Sequence, residues 1–391
     1  MNRRTLLAMT AVSALRVHGA NDRIRVGLIG CGHRGRYLAG LFQESGAQVA
    51  AVCDVYETNL AAGRKLAPDG AASCGDYRRM LDDSSLDAVI IAAPDHWHAR
   101  MMIDAAAAGK DAYLEKPIAL QVDDGFRMVE AVRRALRVVQ VGTQRRSNPL
   151  FGEAAGVLQS GAAGEIRLVN SWWYNTKAAV DSTPLSGRLD WDMWLGPAPK
   201  RDFQPARFND WYYFRDYSGG MPSNVGAHII DGIQMCMRST YPLAVTCSAG
   251  RAHVDGAECP ESTTLAVEFP EDYLAVFTCS FRAMHYAFSN DQMNQFNGSK
   301  ARFDLGREGY ALYPQTDARE MKPSVEKSAP GSFEPSSHAH VRNFLDCVRS
   351  RKNPNATIEM GNYTSLVLAM ASESLRTRRR IRWDTATKRM V

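Results

Sequence analysis

Residues 24–35, I-R-V-G-L-I-G-C-G-H-R-G, set Gly30, Gly32 and Gly35 in the spacing G-x-G-x-x-G directly after an apolar run. Such a run reads as a buried strand, and the glycines let it turn sharply into a helix. The free amide groups at that helix start can hold a pyrophosphate. Gly30, Gly32, His33, Arg34 and Gly35 are therefore expected to contact a dinucleotide. The next apolar run, 48–53, ends at Asp54, about twenty residues past the turn, where a carboxylate can accept a ribose 2′-hydroxyl. That spacing favours NAD. Arg34 and Arg36 could instead approach a phosphate, which leaves NADP open, and Asp54 could simply cap a strand end.

Outward from this seed, apolar runs at 24–30, 49–53, 88–92, 111–114 and 138–141 alternate with helix-like stretches such as 99–108 and 123–136. That alternation predicts an α/β fold with a doubly wound parallel sheet and a ligand at the C-terminal ends of its strands. Beyond Arg145 the pattern changes. After a helix at 151–160, strands are expected at 166–174, 243–254, 264–268, 273–281 and 301–304, and strands in succession predict a second, mainly antiparallel sheet. Residues 172–219 and 311–337 read as long loops, and the chain closes with helices at 338–350 and 363–376 and a strand at 380–383. The expected organisation is an export segment at 1–20, a dinucleotide-binding domain at 21–145, and an α+β domain for substrate and oligomerisation at 146–391.

Composition narrows the function. The 391 residues are 45% hydrophobic and 23% charged, an ordinary globular balance with room for about two domains. Of the net charge of +5, three charges come from Arg3, Arg4 and Arg16 in the acid-free first twenty residues, leaving +2 for the body. So balanced a body argues against a nucleic-acid partner. Arg3-Arg4, the apolar stretch 5–15 and the small pair Gly19-Ala20 read as a Tat-type signal for a periplasmic protein, the alternative being a basic N-terminus on a cytoplasmic one. No later segment approaches the ~18 apolar residues of a membrane span. The eight cysteines stand singly, with no zinc spacing, and no metal is expected.

Two further segments fall at expected strand ends, Ala93-Pro94-Asp95-His96-Trp97-His98 and Leu114-Glu115-Lys116-Pro117. With the glycine turn and Asp54, then Gly142-Thr143-Gln144, the stretch Trp191-Asp192-Met193-Trp194-Leu195-Gly196-Pro197, Gly219-Gly220, Gly226-Ala227-His228 and Asn343-Phe344-Leu345-Asp346-Cys347, they form a chain-order signature. It resembles the Gfo/Idh/MocA oxidoreductases, the glucose-fructose oxidoreductase type, in which a Rossmann domain precedes a domain built on an open sheet. The resemblance covers nearly all of the chain after the first twenty residues.

It implies that Lys116 lies beside the nicotinamide ribose and the reacting hydroxyl, where burial would tune its amine. Pro94, His98, Glu115 and Gln144 are implied at the cofactor. The family's second catalytic segment usually reads Asp-x-Gly-x-His; here it is Asn224-Val225-Gly226-Ala227-His228. His228 remains an acid/base candidate, but Asn224 cannot ionise, and Asp231 could supply a carboxylate from the same helix face. Arg145, Tyr174, Asn175, Asn224 and His228 are candidates for sugar contacts, and the many aromatics of 172–213 offer faces for pyranose C–H groups. The expected function is NAD(P)-dependent oxidation of a hydroxyl on a sugar or sugar derivative by a homo-oligomer. The alternative is an NAD-dependent glycoside hydrolase that oxidises transiently, eliminates and adds water, without the usual paired carboxylates.

Overall fold

The computed structural model describes residues 23–177, 179–283 and 291–391. The export segment expected at 1–20 lies outside them. The first sheet holds β1 (Arg25–Ile29), β2 (Gln48–Cys53), β3 (Ala72–Cys74), β4 (Ala88–Ile91), β5 (Asp111–Leu114) and β6 (Val139–Val141). All its pairs are parallel, in the order β3-β2-β1-β4-β5-β6. Strand order therefore reverses between β1 and β4, which opens a crevice at their C-terminal ends. Helices cover both faces, so β4 and β5 are buried throughout and read as unbroken apolar runs.

Two glycines make the β1 turn possible. Gly30 sits at φ +89°, and a Cβ there would lie 2.6 Å from the Ala92 carbonyl oxygen. A Cβ at Gly35 would lie 1.9 Å from the Gly30 carbonyl oxygen, so only glycine lets the helix His33–Glu44 start this close to the strand.

The second sheet holds β7 (Ile166–Tyr174), β8 (Ala244–Ala249), β9 (Ser262–Phe269), β10 (Tyr273–Ser280), β11 (Gln292–Gly298), β12 (Ala301–Gly306), β13 (Gly309–Pro314), β14 (Val325–Ser328), β15 (Ile381–Asp384) and β16 (Arg389–Met390). Their order is β14-β13-β12-β11-β7-β10-β9-β8-β15-β16. Only β7 and β10 pair in parallel among the described strands; the others are antiparallel. The inner face, for example Ala275, Phe277 and Cys279 of β10, packs beneath the helix Gly220–Met237, which in turn meets the helix Ile358–Thr377.

Sequence expectation and structure differ at the more polar strands. β3 is three residues long and little buried, and β11 turns Gln292 and Asn294 inward beside Phe296, so its alternation is not apolar against polar. The loop expected at 311–337 contains the end of β13 and all of β14, whose four residues are exposed and held by ladder bonds to β13. The loop expected at 172–219 contains short helices at Trp191–Leu195 and Pro205–Asn209. The strand expected over 243–254 stops at Ala249.

Two segments bind the halves together. In the helix Phe333–Ser350, Val341, Phe344, Leu345 and Val348 share an apolar cluster with Val26, Leu38 and Phe42 of the first sheet and its helix. Phe344 meets Phe42 at 5.8 Å between ring centres. Its buried neighbour His340 meets the Val141 carbonyl through Nε2 at 2.8 Å and Ser147 Oγ through Nδ1 at 2.7 Å. The unit expected at 146–391 thus contributes to the core of the first sheet, through this helix and also through Ile358 at the start of the helix Ile358–Thr377. The second segment is 186–190, which lies across the end of β2. Leu189 bridges to Tyr56, the Glu57 amide donates to Arg188 at 2.9 Å, and the Asp190 amide donates to Val55 at 3.0 Å.

Candidate active site

The reversal between β1 and β4 opens into a cavity of about 690 Å³, roofed by residues of 181–212 and by the helix Gly220–Met237. Its lining includes Gly30, Gly32, His33, Arg34, Asp54, Pro94, His98, Glu115, Lys116, Gln144, Asn224 and His228. Sequence-expected residues far apart in the chain therefore share one space.

On the strand-end wall, Asp54 is fixed by main-chain donors. The Cys31 amide reaches its Oδ2 at 2.7 Å and the Tyr56 amide its Oδ1 at 2.8 Å. Burial pushes its carboxyl up, against those two hydrogen bonds. Gly32 is open: a Cβ there would meet no protein atom within 4 Å and would stand in the cavity. An amide-lined turn with free space above Gly32 and a carboxylate at the β2 end fits a dinucleotide. Gly35 does not line the cavity; its part is the close approach to Gly30.

Beside the turn, Arg34 Nε donates to Glu115 Oε1 at 2.7 Å. Burial alone would raise the Glu115 carboxyl, but Arg34 and Lys116 outweigh it and hold it below the usual range. Lys116 precedes a cis peptide bond to Pro117. Its Nζ donates to Asn224 Oδ1 at 2.7 Å and to the Asn224 carbonyl at 3.0 Å. Burial lowers the amine's pKa, with Glu115 and Asp95 acting the other way.

One turn along the same helix, His228 is half-buried, and the loss of solvent around its ring holds the imidazole well below the ordinary value of 6.5, helped by the positive fields of Lys116, Arg145 and Arg34. It is neutral at neutral pH. Its Nδ1 has no hydrogen-bond partner among the described residues, and neither has Gln144 Oε1. A buried polar atom is rarely left so, and both belong to residues that line the cavity.

Other expected contacts fall elsewhere. Arg145, Tyr174 and Asn175 are not among the described cavity-lining residues. Arg145 turns into the layer between helix and sheet, donating to Gln292 Oε1 and lying over the rings of Trp173 and Phe151. Tyr174 ends β7 and Asn175 follows it, their main-chain amides donating to the carbonyls of Asp291 and Ser280 at 2.8 Å each. Asp231 pairs with Arg146 at 2.7 Å and not with His228. His98 lines the cavity with its ring nitrogens against the carbonyls of Pro117 (2.7 Å) and Ala93 (2.8 Å), so it fixes the turn. His96 Nε2 meets the Trp194 carbonyl at 3.1 Å.

Asp95, Asn59, Asp181, Phe208 and Asn209 also line the cavity, and sequence reasoning did not select them. Asp95 was in reach, one residue past Pro94. The others come from helix and loop positions that carry no spacing rule.

Comparison with known proteins follows this geometry. The NAD-binding Rossmann-fold model of the Gfo/Idh/MocA oxidoreductase family matches residues 24–143, and that family's C-terminal alpha/beta domain model matches residues 156–268. Inositol 2-dehydrogenase 2 of Saccharopolyspora erythraea is 34% identical over 210 residues, 47% of this chain and 62% of the relative. An inositol 2-dehydrogenase of Gluconacetobacter diazotrophicus is 32% identical over 182 residues, 44% of this chain and 52% of the relative. The chain thus matches between half and two thirds of the length of these curated relatives. Among solved structures, levoglucosan dehydrogenase in complex with NADH and levoglucosan superposes with a TM-score of 0.73 at 18% identity, covering 92% of this chain and 99% of that one. The WlbA dehydrogenase of Bordetella pertussis, in complex with NADH and UDP-GlcNAcA, gives 0.71 at 20% identity, covering 93% and 99%. These structural likenesses concern the fold.

Proposed function

Because the chain belongs to the Gfo/Idh/MocA family of oxidoreductases, with an NAD-binding Rossmann domain, we propose that it oxidises a secondary hydroxyl of a sugar or cyclic polyol. The observation that carries this reading is the meeting of Lys116 and His228 in the cavity that also holds the glycine turn and Asp54. Bound NAD would supply the hydride acceptor, with its pyrophosphate at Gly30 to Gly35 and its ribose at Asp54. His228, neutral and with Nδ1 free of partners, accepts the hydroxyl proton. Lys116, held by Asn224, orients the hydroxyl oxygen. Trp211 and Tyr212 offer apolar faces to the sugar ring, and the 181–212 roof excludes water.

The test is a screen of sugars and polyols, starting with inositol and levoglucosan, with NAD and with NADP, following reduced-nicotinamide absorbance. Oxidation of at least one, with NAD preferred, is expected. Aglycone release from aryl glycosides without net nucleotide reduction would replace this reading with redox-assisted hydrolysis. The first twenty residues are proposed as a Tat-type signal, tested by exporting a folded reporter. A homo-oligomer is proposed across the outer face of the second sheet, where Leu274 is exposed, tested by light scattering.

A further inference from the structure

All eight cysteines lie within the described residues, and all are unbridged. Cys74 is partly exposed and the other seven are buried. Only Cys53 and Cys74 stand opposite each other in a ladder: Cys53 ends β2, Cys74 ends β3, and the two are register partners of a parallel pair, whereas Cys247 faces Leu265 and Cys279 faces Thr263. Side chains at such a register pair leave the same face of the sheet, and both cysteines pack into the apolar cluster that holds Tyr77 and Met80. Their thiols are hydrogen-bonded to each other. Neighbouring strands run about 4.8 Å apart, within the span of about 4.4–6.8 Å between Cα atoms that a disulfide bridges. β3 is a three-residue edge strand with little burial, free to take up a small shift.

The pair lies at the floor of the cofactor cavity. Cys53 lines it, as do Asp54 and Gly75, the residues that directly follow the two cysteines. The Asp54 amide donates to the Cys74 carbonyl at 3.2 Å, so the main chain that carries the ribose carboxylate is tied to the strand of Cys74. We propose that Cys53 and Cys74 are a peroxide-sensitive modification site, a dithiol that closes to a disulfide under the ribose pocket and weakens dinucleotide binding. This rests on the reading above that puts the ribose at Asp54. In the first step Cys74 Sγ attacks a peroxide oxygen, the O–O bond breaks, and a sulfenic acid and one water result. Cys53 Sγ then attacks Cys74 Sγ: the S–S bond forms, the S–O bond breaks, and a second water leaves with the Cys53 proton. Each sulfur gives up one electron, and the peroxide is reduced to two waters. Cys74 attacks because it is the partly exposed sulfur, and the hydrogen bond from Cys53 holds its thiol below the ordinary value against burial and Asp76. That same bond and burial raise the Cys53 thiol, which keeps its proton until it resolves the sulfenic acid.

The experiment treats the full chain, freed of nucleotide, with hydrogen peroxide, blocks the remaining thiols and reads the cysteines by peptide mass spectrometry. A 53–74 crosslink that dithiothreitol reverses is expected in the wild type and in neither Cys53→Ser nor Cys74→Ser; in Cys53→Ser, Cys74 should run on to the sulfinic acid. NAD affinity by calorimetry should fall about tenfold when the wild type is oxidised and return on reduction. Cys74→Ser leaves the cavity lining unchanged and should bind NAD alike before and after treatment. By linkage, saturating NAD should make the pair about tenfold harder to oxidise in a glutathione redox buffer. A wild type with no 53–74 crosslink, or one that joins other cysteines instead, overturns the site; a crosslink that leaves NAD affinity unchanged overturns its action on the cofactor. Untreated protein that binds no dinucleotide would refute the ribose reading, and the crosslink alone then decides the site.

Discussion

The two walls of the cavity are built from different materials. The strand-end wall is shaped by main chain: the Gly30 turn, the amides of Cys31 and Tyr56 on Asp54, and the carbonyls that clamp His98. The opposite wall is made of side chains, Asn224 and His228 from one helix and the aromatics of 181–212. Main chain can take few shapes, so the first wall tolerates little change. The second can vary its side chains while the helix beneath stays in place, so under the proposed function it is the wall that would select the substrate.

The largest test of this contrast is chemical. Lys116→Ala and His228→Ala, one from each wall, should each lose about 10²–10⁴-fold in kcat while NAD affinity by calorimetry is kept. A variant with wild-type turnover would put the chemistry elsewhere. Next comes a pair of alanines in the turn. Gly35→Ala, whose Cβ would lie 1.9 Å from a carbonyl oxygen, should cost about 2–4 kcal/mol of stability by urea unfolding. Gly32→Ala should leave stability nearly unchanged and weaken NAD binding; equal midpoints for the two would show that the turn is softer than argued.

The pH tests come third. Since His228 stays neutral below the ordinary 6.5, turnover should fall only at more acid pH, as the ring takes up a proton and can no longer accept one. His340, lowered to about 4 by burial, acts on stability instead. The unfolded chain binds that proton at about 6.5, so the stabilisation is complete above 6.5 and is lost as pH falls through about 4. Melting temperature against pH should show a flatter slope for His340→Asn. The smallest expected effect is at the segment 186–190 across the end of β2. Tyr56→Phe removes the acceptor for the Ser186 amide at 3.1 Å and should weaken NAD retention about two- to tenfold, read by dissociation rate.

Legibility in the sequence divides along the same line. Glycine spacing and buried apolar runs report main-chain geometry directly, so five of the six strands of the first sheet, the Gly30 turn and the place of Asp54 after β2 could be read from residue order, whereas the short β3 was not read and Lys116 was singled out by the resemblance. β11 could not, because Gln292 and Asn294 point inward where a strand pattern leads one to expect apolar groups. Arg145 looked like a domain-junction contact, yet its guanidinium found Gln292 from β11, and only tertiary structure joins those two. Asp95 sits in the strand-end motif after β4, but nothing in the local sequence shows that its helix start opens onto the cavity.

The return of the helix Phe333–Ser350 to the first sheet has a consequence for biosynthesis. Val341, Phe344, Leu345 and Val348 complete a core whose other members, Val26, Leu38 and Phe42, leave the ribosome some three hundred residues earlier. Until residues 341–348 have followed, that apolar surface lies open to solvent and chaperones. The nucleotide-binding half, although made before that helix, is finished only with it.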